Sequence, residues 1–117
     1  MESPRVLVVD DDEAVRAVTR EMLRRGNYEV ECVGSGPAAL GALEEHRFDL
    51  VMLDVGMPGM SGADVYEVIR QHWPDQKVLF MTGYAEEEIK GLDHEHTWVL
   101  SKPFKLQALN DTVAAIV

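Results

Sequence analysis

The sequence is poor in cysteine and in positive charge, and it contains no long hydrophobic run. Each shortage removes a class of protein. Cys32 stands alone among 117 residues, so no internal disulfide can form, and a single cysteine inside an apolar stretch reads as a small core residue in a reducing compartment. The cytoplasm is the compartment expected. Lys and Arg number 11 against 21 Asp and Glu, a formal net charge of -10. Nucleic acid and anionic lipid are polyanions themselves, so neither a direct nucleic-acid partner nor membrane contact is expected. No apolar run approaches the ~18 residues of a membrane span, and Met1-Glu2-Ser3-Pro4 has neither the basic start nor the apolar stretch of a signal peptide. Without repeats, low-complexity segments or a linker, residues 1–117 suit one domain, either free-standing or part of something longer.

What the chain does have is a regular alternation. Short apolar runs recur at Val6–Val9, Phe48–Leu53, Val78–Met81 and Trp98–Leu100, with a weaker one at Tyr28–Val33. Runs without polar alternation mark strands covered on both faces. Between them lie stretches with apolar residues three and four apart: Val15, Val18, Met22; Ala39, Leu40, Leu43; Val65, Val68, Ile69; Leu106, Leu109, Val113. Asp12, Ser35 and Ser61 stand where side-chain oxygens cap helix N-termini, and Gly26 stands where the first helix needs a left-handed exit. Only Ala85 to Lys90 is available for a helix between the fourth and fifth strands, two turns at most. Strand and helix in alternation predict an α/β fold, a doubly wound five-stranded parallel sheet with helices on both faces, whose ligand site lies outside the carboxyl ends of the strands.

Chemistry-bearing residues stand at those ends. Asp10 and Asp11 follow the first strand, Asp54 the third, Thr82 the fourth and Lys102 the fifth. The segment DLVMLDVGMPGMSG, Asp49 to Gly62, stops its apolar run at Asp54, putting a carboxylate at the lip of a buried strand. Three crowded carboxylates repel one another unless a cation joins them. A hard divalent ion such as Mg²⁺ accepts a few carboxylates while keeping its waters. The Thr82 hydroxyl and Lys102 ammonium are the groups that bind equatorial oxygens of a transferring phosphoryl group.

With VLVVDD, MLDVGMP, VLFMTGY and SKPF in order along the chain, the sequence resembles the receiver domain of two-component response regulators. The resemblance implies a flavodoxin-like fold with strand order 2-1-3-4-5. It implies that Asp54 accepts phosphate from a phosphohistidine on a histidine kinase or histidine phosphotransfer protein. Asp10, Asp11, Asp54 and the backbone carbonyl of Gly56 would hold Mg²⁺, with Mn²⁺ as a substitute. Thr82 would move toward the acyl phosphate, Lys102 would pair with it, and the Lys102–Pro103 bond would be cis. A conformational switch and a phosphorylation-dependent dimer are further implications, as is at most slow self-dephosphorylation rather than enzymatic turnover. Two details depart from the family pattern: Val99 stands three residues before the lysine where members often carry an aromatic, and Trp98 points to the other face by alternation. Val99 and MTGY are closer to receivers attached to hybrid histidine kinases than to those fused to DNA-binding outputs.

Rival readings exist. Asp10-Asp11-Asp12 satisfies the D-x-D of haloacid dehalogenase-like phosphatases, with Asp10 as nucleophile, but that leaves Asp54 without a role. Gly34-Ser35-Gly36-Pro37-Ala38-Ala39 fits the G-x-G-x-x-A of dinucleotide binders, yet Pro37 removes an amide from the helix start. A receiver-like scaffold that is never phosphorylated would not need all these residues. Asp12 reads as a helix cap, and His94-Glu95-His96 as surface residues rather than a metal pair.

Overall fold

The structure, a computed structural model, describes residues 3–83 and 96–117. The short helix expected at 85–90 lies outside these, as do Tyr84, His94 and Glu95. The elements are β1 (Arg5–Val9), α1 (Glu13–Arg25), β2 (Glu29–Val33), α2 (Gly36–Glu45), β3 (Leu50–Asp54), α3 (Gly62–His72), β4 (Val78–Thr82), β5 (Thr97–Ser101) and α4 (Leu106–Ile116).

All strand pairings are parallel, in the order β2-β1-β3-β4-β5. This is the flavodoxin-like arrangement expected from the resemblance. The central strands β3 and β4 are buried at every position, which is why their sequences run apolar without alternation. The edge strands β2 and β5 are only partly covered and carry Glu29, Glu31, Thr97 and Ser101. Successive side chains leave a strand on opposite faces. Leu7 and Val9 accordingly pack with Ala39, Leu43, Val65 and Ile69 of α2 and α3. Val6 and Val8 pack with Leu23, Leu109 and Val113 of α1 and α4. Trp98 joins that second cluster while Val99 stays exposed, as alternation predicts.

Asp12, Ser35 and Ser61 cap their helices as expected: Asp12 accepts from the Ala14 and Val15 N–H groups, Ser35 from Ala38, and Ser61 forms a reciprocal capping box with Asp64. Two expectations for α1 are corrected. The left-handed residue at its exit is Asn27 (φ 68°), not Gly26 (φ -85°). Asparagine tolerates that conformation, and Gly26 is needed for a different reason, since a β-carbon there would meet Asn110 Oδ1 at 2.6 Å and the Tyr28 ring at 2.8 Å. The buried stripe runs through Thr19 and Leu23, whereas Val18, read as core-facing, is 55% exposed. Helical spacing allows either stripe, and Leu23 reaches the sheet where Val18 does not.

Candidate functional site

Parallel register decides what meets at the sheet edge. Val9 lies beside Leu53, and Asp54 beside Met81, so the residues ending β1, β3 and β4 emerge side by side. Backbone hydrogen bonds continue across the turns there: the Asp10 N–H donates to Val33 O (3.2 Å), Val55 N–H to Met81 O (3.2 Å), and Lys102 N–H to Thr82 O (2.7 Å). Asp10, Asp54 and Thr82 are buried, Lys102 is partly buried and Asp11 is exposed. The Lys102–Pro103 bond is cis.

Lys102 reaches back from the end of β5 to both carboxylates. Its Nζ donates to Asp10 Oδ2 at 2.7 Å and to Asp54 Oδ1 at 3.3 Å. The two acids are held differently. Asp10 Oδ1 accepts the Asp12 N–H at 2.9 Å, so both of its carboxylate oxygens are engaged. Asp54 uses only Oδ1, which also accepts the Gly56 N–H at 3.4 Å. Among the described residues nothing donates to Asp54 Oδ2.

Burial pushes the Asp54 carboxyl above the ordinary carboxylate range, and the neighbouring Asp10 charge adds to this; the Lys102 ammonium and the Gly56 N–H pull the other way and do not overcome it. For Lys102, burial alone would favour the neutral amine, but its bonds to Asp10 and the charges of Asp54 and Asp10 outweigh burial and raise it. It is a fixed cation. One carboxylate oxygen from each of Asp10, Asp11 and Asp54 lies within 4.8 Å of the others. Hard oxygen donors this close, with an exposed member facing solvent, fit a Mg²⁺ ion that retains some of its water.

The loop after Asp54 is anchored on both sides. Met57 is buried in the α2–α3 cluster, Gly59 takes a positive φ of 74°, and Gly62 N–H donates to Val55 O at 3.2 Å. A β-carbon on Gly62 would overlap the Asp54 carbonyl oxygen and lie 2.9 Å from Val55 Cα, so α3 begins directly against the backbone of the candidate acceptor. The dinucleotide-type glycines have no comparable cradle to offer. Arg16 Nη1 lies 3.0 Å from a β-carbon built on Gly34, and Val65 and Met60 lie 2.7 and 2.8 Å from one on Gly36. Gly36 is buried against these side chains, and Pro37 offers no amide at the start of α2.

The structure thus brings Asp10, Asp11, Asp54, Thr82 and Lys102 to one edge, with the Gly56 amide turned to Asp54. Sequence reasoning missed Arg16, whose guanidinium donates to the Asp10 carbonyl at 2.7 Å.

A five-stranded parallel sheet with an acidic cluster and a lysine at its carboxyl edge defines a class of α/β signalling modules. Comparison with known proteins gives the family: residues 6–114 match the response regulator receiver domain, and the chain belongs to that family, whose members are phosphoacceptor signalling domains. It is 38% identical over 112 residues to the response regulator protein FleR of Pseudomonas aeruginosa, covering 94% of this chain and 24% of that protein. It is 37% identical over 115 residues to the response regulator MprA of a Mycobacterium species, covering 97% and 50%. The chain therefore spans half or less of these relatives. Among solved structures, Vibrio cholerae chemotaxis protein CheY4 superposes with a TM-score of 0.90 at 29% identity, covering 98% of this chain and 99% of that one. Thermotoga maritima TrrA, solved in complex with Mg(2+)-BeF, gives 0.84 at 31% identity, covering 97% and 99%.

Proposed function

We propose that Asp54 is the phosphoacceptor, that Asp10, Asp11, Asp54 and the Gly56 carbonyl hold Mg²⁺, and that Thr82 and Lys102 bind the phosphoryl group. The observation that carries this is the asymmetry between the two buried acids. Asp10 has both oxygens engaged by Lys102 and the Asp12 N–H, whereas Asp54 keeps Oδ2 without a donor among the described residues. The same asymmetry argues against Asp10 as the nucleophile of a haloacid dehalogenase-like phosphatase. In the step proposed, Asp54 Oδ2 attacks phosphorus, the bond from phosphorus to the donor histidine nitrogen breaks, and the electron pair leaves with the imidazole. Lys102, 3.3 Å from Oδ1, neutralises the oxygen that does not attack and then pairs with the acyl phosphate. Bound Mg²⁺ would offset the charge gathering on phosphoryl oxygens. The Mg(2+)-BeF complex of TrrA supports the same arrangement here. Mn²⁺ fits the same hard-oxygen donors.

The donor in this reading is a histidine kinase or phosphotransfer protein, and the unit that receives the phosphate is the whole of 1–117. It works as an acceptor, not a turnover catalyst, and a dimer formed on phosphorylation is carried by the resemblance alone. FleR and MprA are named response regulators, so the likeness to receivers of hybrid histidine kinases rests on Val99 and MTGY by themselves. No helix among the described residues is long and apolar enough to cross a membrane, and the cytoplasmic placement rests on composition. Incubation with acetyl phosphate or phosphoramidate, with and without Mg²⁺, followed by intact mass, tests the acceptor. One Mg²⁺-dependent phosphate on the wild type and none on Asp54→Ala is expected. Equal labelling of both overturns the assignment.

A further inference from the structure

We infer that Arg16 is a positioning residue for the acidic cluster: its guanidinium fixes the Asp10–Asp11 peptide and thereby sets where the Asp11 carboxylate stands. The inference rests on the metal site proposed above. Asp10 is tied at each of its polar atoms. Its N–H donates to Val33 O and its carbonyl accepts from Arg16 Nη1. Its carboxylate accepts from the Asp12 N–H and from Lys102. Arg16 supplies the charge-assisted bond to the backbone, at 2.7 Å and partly buried, as Lys102 does to the carboxylate. It does so from one turn inside α1, reaching back over the end of β1.

Asp11 is the opposite case. It is exposed, and no described residue bonds its carboxylate. Its oxygen nonetheless lies within 4.8 Å of those of Asp10 and Asp54. The placement comes from the backbone that carries it. The Asp10 carbonyl and the Asp11 N–H share one rigid peptide plane, so a donor on that carbonyl orients the plane from which Asp11 projects. Gly34 completes the device. The guanidinium occupies a slot where a β-carbon on Gly34 would stand 3.0 Å from Nη1 and 3.6 Å from Cζ, and the bare glycine keeps that slot open.

Charge and position predict opposite signs. Arg16 is a cation beside a site that binds a cation, so its Coulombic effect alone weakens Mg²⁺ binding, and removing it would tighten the site. A positioning role predicts the reverse. Mg²⁺ affinity, measured by titration calorimetry on the metal-free protein, is expected to fall by roughly tenfold in Arg16→Gln, the lower end of what loss of an outer-sphere partner does. Arg16→Lys, which keeps a donor of similar reach, should recover most of that. Arg20→Gln removes the same charge from an exposed position one turn further along and should leave affinity unchanged or slightly tighter. The amide resonances of Asp11 and Asp12 should shift in Arg16→Gln before any metal is added, and not in Arg20→Gln. Gly34→Ala keeps every charge and displaces the guanidinium; it should also weaken binding, and it carries the test if Arg16→Gln fails to fold. Affinity in Arg16→Gln equal to or tighter than in Arg20→Gln, or unchanged in a folded Gly34→Ala, overturns the inference while the metal site stands. A wild-type protein that binds no Mg²⁺ overturns both.

Discussion

At the scale of single residues the site is in conflict before any ligand arrives. Asp54 is buried beside Asp10, and its carboxyl is pushed above the ordinary range by that burial and that neighbour despite the Lys102 contact. An acid whose folded pKa is raised stabilises the fold below its unfolded pKa, and that contribution is lost as pH rises through the folded value. At neutral pH the Asp54 charge therefore works against folding. Metal-free Asp54→Asn should be more stable than wild type at neutral pH by about 1 kcal/mol, within the range that single stabilising substitutions commonly give. The advantage should shrink as pH falls into the range where Asp54 protonates. Denaturant unfolding with a chelator present, at neutral and at mildly acid pH, checks this; a variant less stable at neutral pH would contradict it. Asp10, Asp54 and Thr82 were legible in the sequence because each is a polar residue closing an apolar run, and Lys102 because it follows the fifth run one residue later, in SKPF. Arg16 was not, because α1 also carries Arg20, Arg24 and Arg25, and nothing in their spacing marks the one that turns back to β1.

At the scale of elements, the strands were legible because buried parallel strands leave uninterrupted apolar runs, and the caps because Asp12, Ser35 and Ser61 each stand at the entry to a helical apolar pattern. Features that depend on contacts between elements were not. Gly26 does end α1, but the left-handed conformation falls on Asn27 and the small size of Gly26 answers to Asn110 of α4 and to Tyr28; Val18 looked buried because period alone does not say which stripe faces the sheet. The same dependence gives one substitution opposite signs in two helices. Gly41 lies in α2, exposed, with nothing within 4 Å of an added β-carbon, so Gly41→Ala should stabilise by roughly 0.5–1 kcal/mol through helix propensity and reduced unfolded-state freedom. At Gly62, where α3 starts, the added carbon meets backbone of Asp54 and Val55 that cannot move aside without moving the acceptor. Gly62→Ala should destabilise by about 1–3 kcal/mol, as overpacking does, and lower the yield of phosphorylation by acetyl phosphate. Midpoints of urea unfolding for the two variants should fall on opposite sides of wild type; a shift in the same direction would show that the Gly62 contact relaxes.

At the scale of the whole molecule, a net charge of -10 makes the compact state repel itself, and the three carboxylates gathered at the carboxyl edge concentrate part of that repulsion where the site is. Two kinds of ion relieve it. Monovalent salt screens all charges without regard to position, so NaCl should raise the melting temperature of wild type, Asp11→Asn and Asp12→Asn by similar amounts. Mg²⁺ that binds the folded state alone adds RT ln(1 + [L]/Kd), about 1.4 kcal/mol at tenfold excess over Kd, or about 6 °C for a domain of this size. That increment, measured against NaCl at matched ionic strength, should be present in wild type, much reduced in Asp11→Asn and retained in Asp12→Asn. The last pair separates register from charge, since both variants remove one negative charge from adjacent positions. Asp12 Oδ1 is already occupied by the Ala14 and Val15 N–H groups at 2.9 and 3.3 Å, and an asparagine caps as well, so its loss of charge should leave the metal increment in place. Loss of the increment in Asp12→Asn and its survival in Asp11→Asn would move the ligand set by one residue. Equal increments in all three would place the bound Mg²⁺ away from both residues, and no increment over NaCl would reduce its effect to screening.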